Sequence, residues 1–168
     1  MTLPDAIHTL DQLSGDPRSG LPDDLFLFIS RVTPLVNVDL LIQDAARRTL
    51  LTWRSDKDYG SGWHIPGGII RYKEPAHDRI REVARLELGA SIEFDSSPVA
   101  VMESIARERN RGHFISLLYR CRLTSEPDLQ RRANTHPPQP GKWRWHDGAP
   151  PDLLEVHNIY KSFMAVTA

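Results

Sequence analysis

One carboxylate in this sequence occupies a position that is unusual for its charge. The run from Pro75 to Leu88 predicts a helix, and at about 100° per residue Ile80, Val83 and Glu87 fall on one side of it. Burying an unpaired carboxylate is costly, so Glu87 needs a partner. A divalent metal ion is one such partner, and oxygen ligands suit Mg²⁺ or Mn²⁺. The alternative is that Glu87, in the last helical turn, reaches water.

A pair of glycines, Gly67 and Gly68, precedes this helix. Adjacent glycines let the backbone turn sharply and approach a ligand closely, and a carbonyl there can bind a metal directly. The other interpretation is an ordinary loop between a strand and a helix. The outer helix face is polar, with Asp78, Arg81, Glu82 and Arg85, and Gly89 is a natural helix end.

The elements that must position these residues follow a mixed α/β order. Residues 1–20 are predicted to be an irregular lead-in, and a helix from about residue 21 to 30 ends before Pro34. Strands are predicted at 35–43 and 49–54, which we expect to pair across a polar turn, and at 98–105, 113–123 and 143–145. Polar loops at 56–62, 107–112 and 125–141 separate them, and a C-terminal helix spans 151–166. Residues 21–168 should form a single domain.

Composition narrows the classes of function. The 168 residues suit one domain with a real core, and the net charge of -1 gives no basic excess for a nucleic-acid surface. Cys121, the single cysteine, lies in an apolar run and is predicted to be a buried, inert thiol. With no disulfide framework, no run of transmembrane length and no apolar signal core, we expect a cytoplasmic protein without membrane or nucleic-acid partners.

Taken together, these residues resemble a degenerate Nudix box. The family pattern runs G, five residues, E, seven residues, R-E-U-x-E-E-x-G-U, with U an aliphatic residue. Four positions of this chain fall in register: Gly68, Glu74, Glu87 and Gly89. The other acidic and basic positions of the pattern hold different residues, and the pair Arg81-Glu82 lies one residue early.

This thinning of the box is similar to that of one branch, the GDP-mannose mannosyl hydrolases, which work with one magnesium ion and substitute at the sugar C1 carbon. Further segments resemble that branch, at residues 33–39, 62–68, 143–145 and 156–158. The resemblance covers about residues 21–165. It implies an α/β (α+β) Nudix fold, with a mixed β-sheet sandwiched between α-helices, and a homodimer.

The resemblance also implies roles for individual residues. In the branch, a glycine carbonyl, a box glutamate and a glutamine in a late loop hold the metal, which implies Gly67, Glu87 and Gln139 as ligands of Mg²⁺ (or Mn²⁺). Arg54 falls where an arginine contacts the leaving phosphate, and Asp39 falls at an acidic position of the first strand. The planar fork of an arginine suits a diphosphate because it donates two hydrogen bonds at once.

Three departures from the branch concern proton transfer and substrate contact. The general-base histidine is replaced by Pro140, and a tyrosine is replaced by Phe114. A second arginine is missing after the glycine pair, although Arg71 lies two residues on. His136 and His113 are the candidate replacements for the base.

The function implied is hydrolysis of a nucleoside-diphosphate sugar such as GDP-mannose by attack at the sugar C1, releasing a nucleoside diphosphate. Two alternatives stay open. Water attacks phosphorus instead, as in ordinary Nudix pyrophosphohydrolases, or the domain binds a nucleotide sugar without turnover.

Overall fold

The computed structural model describes residues 1–109 and 111–165. Its α-helices are α1 (Leu3–Ser14), α2 (Asp23–Val32), α3 (Ala76–Val83) and α4 (Lys161–Met164). Its strands are β1 (Leu35–Ile42), β2 (Thr49–Asp56), β3 (Gly60–His64), β4 (Gly67–Ile69), β5 (Ile92–Phe94), β6 (Ala100–Ile105), β7 (His113–Leu123) and β8 (Trp143–His146). Short 3₁₀-helices lie at Pro17–Ser19, Leu129–Arg131 and Glu155–Tyr160, and a π-helical segment, Ala84–Leu88, continues α3.

The strands form two sheets. The first has the order β4-β1-β7-β5, with β6 also paired to β7; β1 and β7 are parallel and the other pairs are antiparallel. The second sheet, β3-β2-β8, is antiparallel. The expected hairpin between residues 35–43 and 49–54 is wrong, because β2 pairs with β3 and β8 and meets the end of β1 through a bridge from Gln43 to Thr49. Both strands are mostly buried, and a buried apolar run does not specify its partner.

The core lies on both sides of β1. Leu40 and Ile42 pack with α3 and the π-helical segment, whereas Leu41 packs with residues of the C-terminal segment such as Tyr160 and Met164. This division follows from the alternation of side chains along a strand. The mixed α/β class predicted from the sequence is confirmed.

The predicted helix at residues 75–88 is confirmed, with a change of winding in its last turn. Pro75 is the N-cap of α3, and the Gly89 N–H is shared between the carbonyls of Arg85, four residues earlier, and Ala84, five residues earlier; the second bond is of the π-helical type. Gly89 ends the segment with a φ of 63°, a left-handed conformation that favours glycine. Ile80 and Val83 are buried as predicted.

The N-terminal segment is more regular than expected. Residues 3–14 form α1, which begins with a capping box: the Thr2 hydroxyl accepts from the Asp5 N–H and the Asp5 carboxylate accepts from the Thr2 N–H. None of its residues is buried. The helix predicted at about residues 21–30 is confirmed as α2.

The long C-terminal helix expected at residues 151–166 is wrong. A turn, the 3₁₀-helix Glu155–Tyr160 and the short α4 take its place, and Val166 lies outside the described residues. The reason is a tertiary contact: the Trp63 N–H donates to the Asp152 carbonyl, and the Leu154 N–H donates to the Trp63 carbonyl. Backbone groups that bond to another strand cannot close helical turns.

Two further expectations concern the chain as a whole. Cys121 is buried, as predicted, and desolvation raises the pKa of its thiol to about 12, which disfavours the reactive thiolate. None of the helices in the described part of the chain is long and apolar enough to cross a bilayer.

Candidate active site

A cavity of about 490 Å³ opens between the two sheets, the end of the π-helical segment and the C-terminal 3₁₀-helix. Its lining divides by charge. We call Asp39, Thr52, Gly67, Glu87 and Tyr160 the acidic side, and Arg54, Tyr59, Arg109 and Arg111 the basic side. All of these residues line the cavity except Arg109, which stacks against Tyr59.

Glu87 is the centre of the acidic side. Its Oε2 accepts a hydrogen bond from the Thr52 hydroxyl at 2.9 Å, and its Oε1 accepts one from the Gly67 N–H at 3.2 Å. Desolvation raises the pKa of the carboxyl to about 7, and the negative charge of Asp39 acts in the same direction. The carboxyl is therefore inside the protein rather than in water, and no cation of the described residues forms an ion pair with it.

Asp39 is a second buried carboxyl, on β1, with 4% of its surface exposed. Its Oδ2 accepts hydrogen bonds from Asn37 Nδ2 at 2.8 Å and from the Tyr160 hydroxyl. Desolvation raises its pKa to about 6, although these hydrogen bonds oppose the shift. The acidic side thus holds two carboxyls whose charged forms are disfavoured by lack of water.

Gly67 lies directly opposite Asp39 in the pairing of β4 with β1. A side chain at this position would overlap Asp39 Oδ1 and lie 2.9 Å from the Val38 carbonyl oxygen, so only glycine fits. The flanking bonds, Leu40 N–H to Pro66 O and Ile70 N–H to Val36 O, leave the Gly67 polar groups pointing away from β1. The N–H reaches Glu87, and the carbonyl faces the same free edge of the sheet.

Thr52 joins Glu87 to a histidine. Its hydroxyl oxygen lies 3.0 Å from His64 Nε2, and His64 Nδ1 lies 2.9 Å from the Ile65 carbonyl oxygen. Desolvation, assisted by the charge of Arg54, lowers the pKa of His64 to about 4, so the ring is neutral at pH 7. With Nδ1–H facing a carbonyl, Nε2 is an acceptor, and it competes with Glu87 for the single hydroxyl proton. Protonation of Glu87, with its pKa of about 7, relieves that competition.

His157 is the second imidazole in the cavity lining. Its ring centroid lies 5.6 Å from that of His64 and 5.5 Å from that of Tyr160, and its Nδ1 is buried without a hydrogen-bond partner among the described residues. Desolvation, then the charges of His64 and Arg54, lower its pKa to about 3. Sequence reasoning missed Thr52, His64 and His157, although both histidines lie in segments that carried the family resemblance.

The basic side is organised around one aromatic ring. The guanidinium groups of Arg54, Arg109 and Arg111 lie 4.7, 4.9 and 5.9 Å from the centre of the Tyr59 ring, and the Tyr59 hydroxyl donates to the Arg111 carbonyl at 3.0 Å. Arg54 also pairs with Asp56. Arg111 pairs with Asp58 at 3.5 Å, so three arginines and two aspartates leave a net positive charge beside the ring, which suits an anion.

The structure brings half of the predicted site residues together. Those that line the cavity are Asp39, Arg54, Gly67, Gly68, Glu87 and Phe114. Those that do not are Arg71, Glu74, Gly89, His113, His136 and Gln139.

The two predicted replacement bases lie away from the cavity. His113 is one residue before Phe114 on β7, so alternation turns it to the opposite face, where its Nε2 lies 3.1 Å from Glu103 Oε1. His136 is exposed, with its Nδ1 4.0 Å from Asp152 Oδ2. Gln139 is also exposed, and it is the next two residues in its loop that reach the cavity lining.

Glu74 and Arg71 hold the loop before α3. The Glu74 carboxylate accepts from the Arg71 N–H and from Arg79 Nε, both at 2.8 Å, and Arg79 is buried. Arg71 donates to the Arg18 carbonyl at 3.0 Å. These contacts fix the path of the chain from Gly68 into the helix.

The acidic side fits a hard divalent cation. Within residues 1–109 and 111–165, no three histidine, cysteine, aspartate or glutamate side chains cluster closely enough to hold a metal by themselves. Glu87 and the Gly67 carbonyl nevertheless offer oxygen atoms at the same sheet edge, and a positive charge would compensate a carboxyl that burial leaves without a cationic partner.

Comparison with known proteins gives a family and a fold. A family model described as NUDIX domain matches residues 33–164. A curated protein from Haloferax volcanii, the low-salt glycan biosynthesis protein Agl8, is 34% identical over 80 residues, which are 48% of this chain and 51% of that protein. The chain therefore spans about half the length of this curated relative.

Solved structures share the fold at low sequence identity. A MutT NUDIX hydrolase from Burkholderia pseudomallei superposes with a TM-score of 0.62 at 22% identity, covering 77% of this chain and 97% of that one. A UDP-X diphosphatase superposes with a TM-score of 0.58 at 15% identity, covering 96% of this chain and 76% of the other.

Proposed function

This chain belongs to the NUDIX family, and from that premise we propose that it is a metal-dependent hydrolase of a nucleoside-diphosphate sugar. The proposed reaction is attack of water at the sugar C1 carbon, with release of a nucleoside diphosphate and the free sugar. The observation that carries the proposal is one cavity with a desolvated acidic side, suited to a metal, and a basic side, suited to a diphosphate.

The proposed ligands of Mg²⁺ (or Mn²⁺) are the Glu87 carboxylate, the Gly67 carbonyl and Gln139. The Gly67 N–H donates to the Glu87 carboxylate, and the Gly67 carbonyl points to the same side of β4, which supports their role. Gln139 enters through the family resemblance, and it lies in the loop whose next residues line the cavity. When bound, the metal would neutralise charge on the leaving diphosphate.

The protein's own groups hold the remainder of the substrate. Arg54 donates charge-assisted hydrogen bonds to the leaving phosphates, with Arg111 beside it on the same ring. Phe114 offers an apolar contact where the branch has a tyrosine, and Asp39 keeps Gly67 and Tyr160 in place. Arg71 remains a proposed substrate contact only through its position after the glycine pair.

The candidate general bases predicted from the sequence, His136 and His113, lie outside the cavity lining. A base contributes about 10²–10⁴-fold, so an enzyme without a well-placed one is slow rather than inactive.

Attack at phosphorus is the second candidate. It would release a nucleoside monophosphate and a sugar phosphate, and it is favoured by the absence of a cavity-lining imidazole at the base position, Pro140. The UDP-X diphosphatase that shares the fold is named for cleavage of a diphosphate. Nucleotide-sugar binding without turnover is the third candidate.

Product analysis distinguishes the three candidates. We would incubate the purified protein with GDP-mannose and Mg²⁺ in ¹⁸O-labelled water and separate the products by anion exchange. GDP with ¹⁸O in the sugar supports attack at C1, whereas GMP and mannose phosphate with ¹⁸O on phosphorus support the pyrophosphohydrolase. Binding by calorimetry with no product supports the binding domain.

The remaining expectations are part of the same proposal. The homodimer and the cytoplasmic location follow from the resemblance and the composition. Analytical ultracentrifugation tests the first and fractionation of cells tests the second.

A further inference from the structure

The orientation of the Glu87 carboxylate is fixed by two donors from different parts of the fold. Oε1 accepts a hydrogen bond from the backbone N–H of Gly67, at the edge of the first sheet. Oε2 accepts one from the hydroxyl of Thr52, on the central strand of the second sheet. The Gly67 donor is a backbone group, which side-chain substitutions at other positions do not remove. Among the described residues, Thr52 therefore supplies the one side-chain hydrogen bond to this carboxylate.

Thr52 is itself held rigidly. It is 1% exposed, and its strand is paired on both sides, with His64 opposite it on β3 and Trp143 opposite it on β8. His64 Nε2 lies 3.0 Å from the Thr52 hydroxyl oxygen, and this contact limits rotation of the Thr52 side chain. Glu87, in contrast, lies in the last, π-helical turn of its helix, which ends at Gly89.

We propose that Thr52 is a positioning residue, which sets the rotamer of Glu87 so that the free lone pairs of the carboxylate face the metal. This inference rests on the proposed role of Glu87 as a metal ligand. A glutamate has three side-chain torsions, and ordering them in advance removes an entropy cost from metal binding.

A hydroxyl group is suited to this task for a chemical reason. It can donate to a carboxylate and accept from a protonated carboxyl, so it holds Glu87 in either state. A valine has the same shape and neither capacity. Groups that orient a metal ligand from behind typically change metal affinity by about 10–100-fold when they are removed.

The test is metal affinity measured without substrate. We would titrate Mn²⁺ into the wild-type protein and into Thr52→Val and Thr52→Ser, following free Mn²⁺ by electron paramagnetic resonance. We expect Thr52→Val to weaken binding about tenfold or more and Thr52→Ser, which keeps the hydroxyl, to stay within about twofold of wild type. Thr49→Val, a buried threonine on the same strand outside the cavity lining, is the matched control and should bind Mn²⁺ normally.

A second readout separates positioning from a general loss of structure. Thermal unfolding of the metal-free proteins should show all variants folded at the titration temperature. If Thr52→Val does not fold, the comparison moves to Thr52→Ala and Thr52→Ser. In the hydrolysis assay the Mn²⁺ concentration for half-maximal rate should rise in Thr52→Val, while the rate at saturating metal changes less.

The possible failures are distinguishable. Equal Mn²⁺ affinity of the wild type and the folded variants that lack the hydroxyl overturns the positioning role and leaves the proposed function standing. Absence of Mn²⁺ and Mg²⁺ binding by the wild type overturns the metal site, and the positioning role with it.

Discussion

The two sides of the cavity carry their charge in opposite ways. On the acidic side, Asp39 and Glu87 are desolvated, their pKa values are raised to about 6 and about 7, and their hydrogen-bond partners are neutral groups. On the basic side, Arg54 has a carboxylate partner, Asp56, and about a third of its side chain is exposed. Desolvation disfavours the charged form of both carboxyls on the acidic side, whereas Arg54 on the basic side has a counter-ion and partial access to water.

This difference indicates which kind of ion each side of the cavity should attract. A buried carboxyl without a cation gains from a metal ion, since the metal supplies the compensation that water no longer provides. Guanidinium groups that keep their charge attract an anion at longer range. A diphosphate with a bound metal ion would match both sides of the cavity, because it carries negative and positive charge.

Replacing Glu87 by Gln should have the largest effect. It keeps the shape and removes the charge of the acidic side, so we expect metal-dependent turnover to fall by about 10³-fold. Steady-state kinetics at saturating Mg²⁺ measure this. Glu82→Gln, on the outer face of the same helix where Glu82 pairs with Arg85 at 2.7 Å, is the control and should be unchanged. Near-wild-type turnover of Glu87→Gln would contradict the assignment of Glu87 as a metal ligand.

Replacing Arg54 by Lys tests the basic side alone. The charge is kept, but the planar fork that donates two hydrogen bonds to a diphosphate is lost, so we expect kcat/KM to fall by about 10²-fold while Mn²⁺ affinity is unchanged. Arg48→Lys is the matched control, because Arg48 also pairs with an aspartate, Asp44, and faces an aromatic ring outside the cavity. A loss of Mn²⁺ affinity in Arg54→Lys would show that the two sides are not separable.

Replacing Gly67 by Ala tests the packing of the acidic side. The added methyl group meets Asp39 and the Val38 carbonyl, so we expect the free energy of unfolding to fall by about 1–3 kcal/mol. Urea denaturation measures this. The penalty should shrink in an Asp39→Ala background, and an identical penalty in both backgrounds would contradict the contact as its cause.

Lowering the pH should weaken the acidic side and spare the basic one. Metal binding requires the ionised carboxyl, so with a pKa of about 7 for Glu87 we expect Mn²⁺ affinity about tenfold lower at pH 6 than at pH 8. Binding of a nucleotide sugar without metal should stay constant, because arginine does not titrate in this range. A flat Mn²⁺ affinity would count against Glu87 as the ligand.

The same raised pKa has a defined effect on stability. The folded metal-free protein binds the Glu87 proton more tightly than the unfolded chain, whose pKa is near 4.5. This carboxyl therefore contributes stability below pH 4.5 that is lost as the pH rises to about 7. Replacement by Gln should remove that part of the pH dependence in thermal unfolding.

Local sequence predicted the elements better than their partners. The helix at residues 75–88 and the inward face of Glu87 follow from 3.6-residue periodicity, and the long strand at 113–123 follows from its apolar run. Periodicity reports burial, and it does not report which strand lies beside β2. The C-terminal segment failed for the same reason, since Trp63 fixes residues that read locally as helix.

Prediction of the site residues from the sequence had the same limit, because it depends on features within one segment. Gly67 and Glu87 could be placed because each is unusual in its own segment. Thr52, His64 and His157 could not, because each is ordinary in sequence and becomes part of the site through contacts that span many residues, such as the 35 that separate Thr52 from Glu87. The cluster around Tyr59 likewise depends on a loop about 50 residues away in the chain.

The π-helical turn at Ala84–Leu88 has a consequence for the direction in which Glu87 faces. A π-turn holds one residue more than an α-helical turn, and the pair Arg81-Glu82, just before it, lies one residue early relative to the family pattern, while Glu87 and Gly89 are in register. The extra residue of the turn lies between Arg81-Glu82 and Glu87, whereas Gly68 and Glu74, before α3, keep the family spacing to Glu87. Winding the same residues as an ordinary α-helix, with none deleted, would rotate Glu87 by about 100°, away from Thr52 and Gly67. The winding of this turn, as much as the presence of a glutamate, decides where the carboxylate lies.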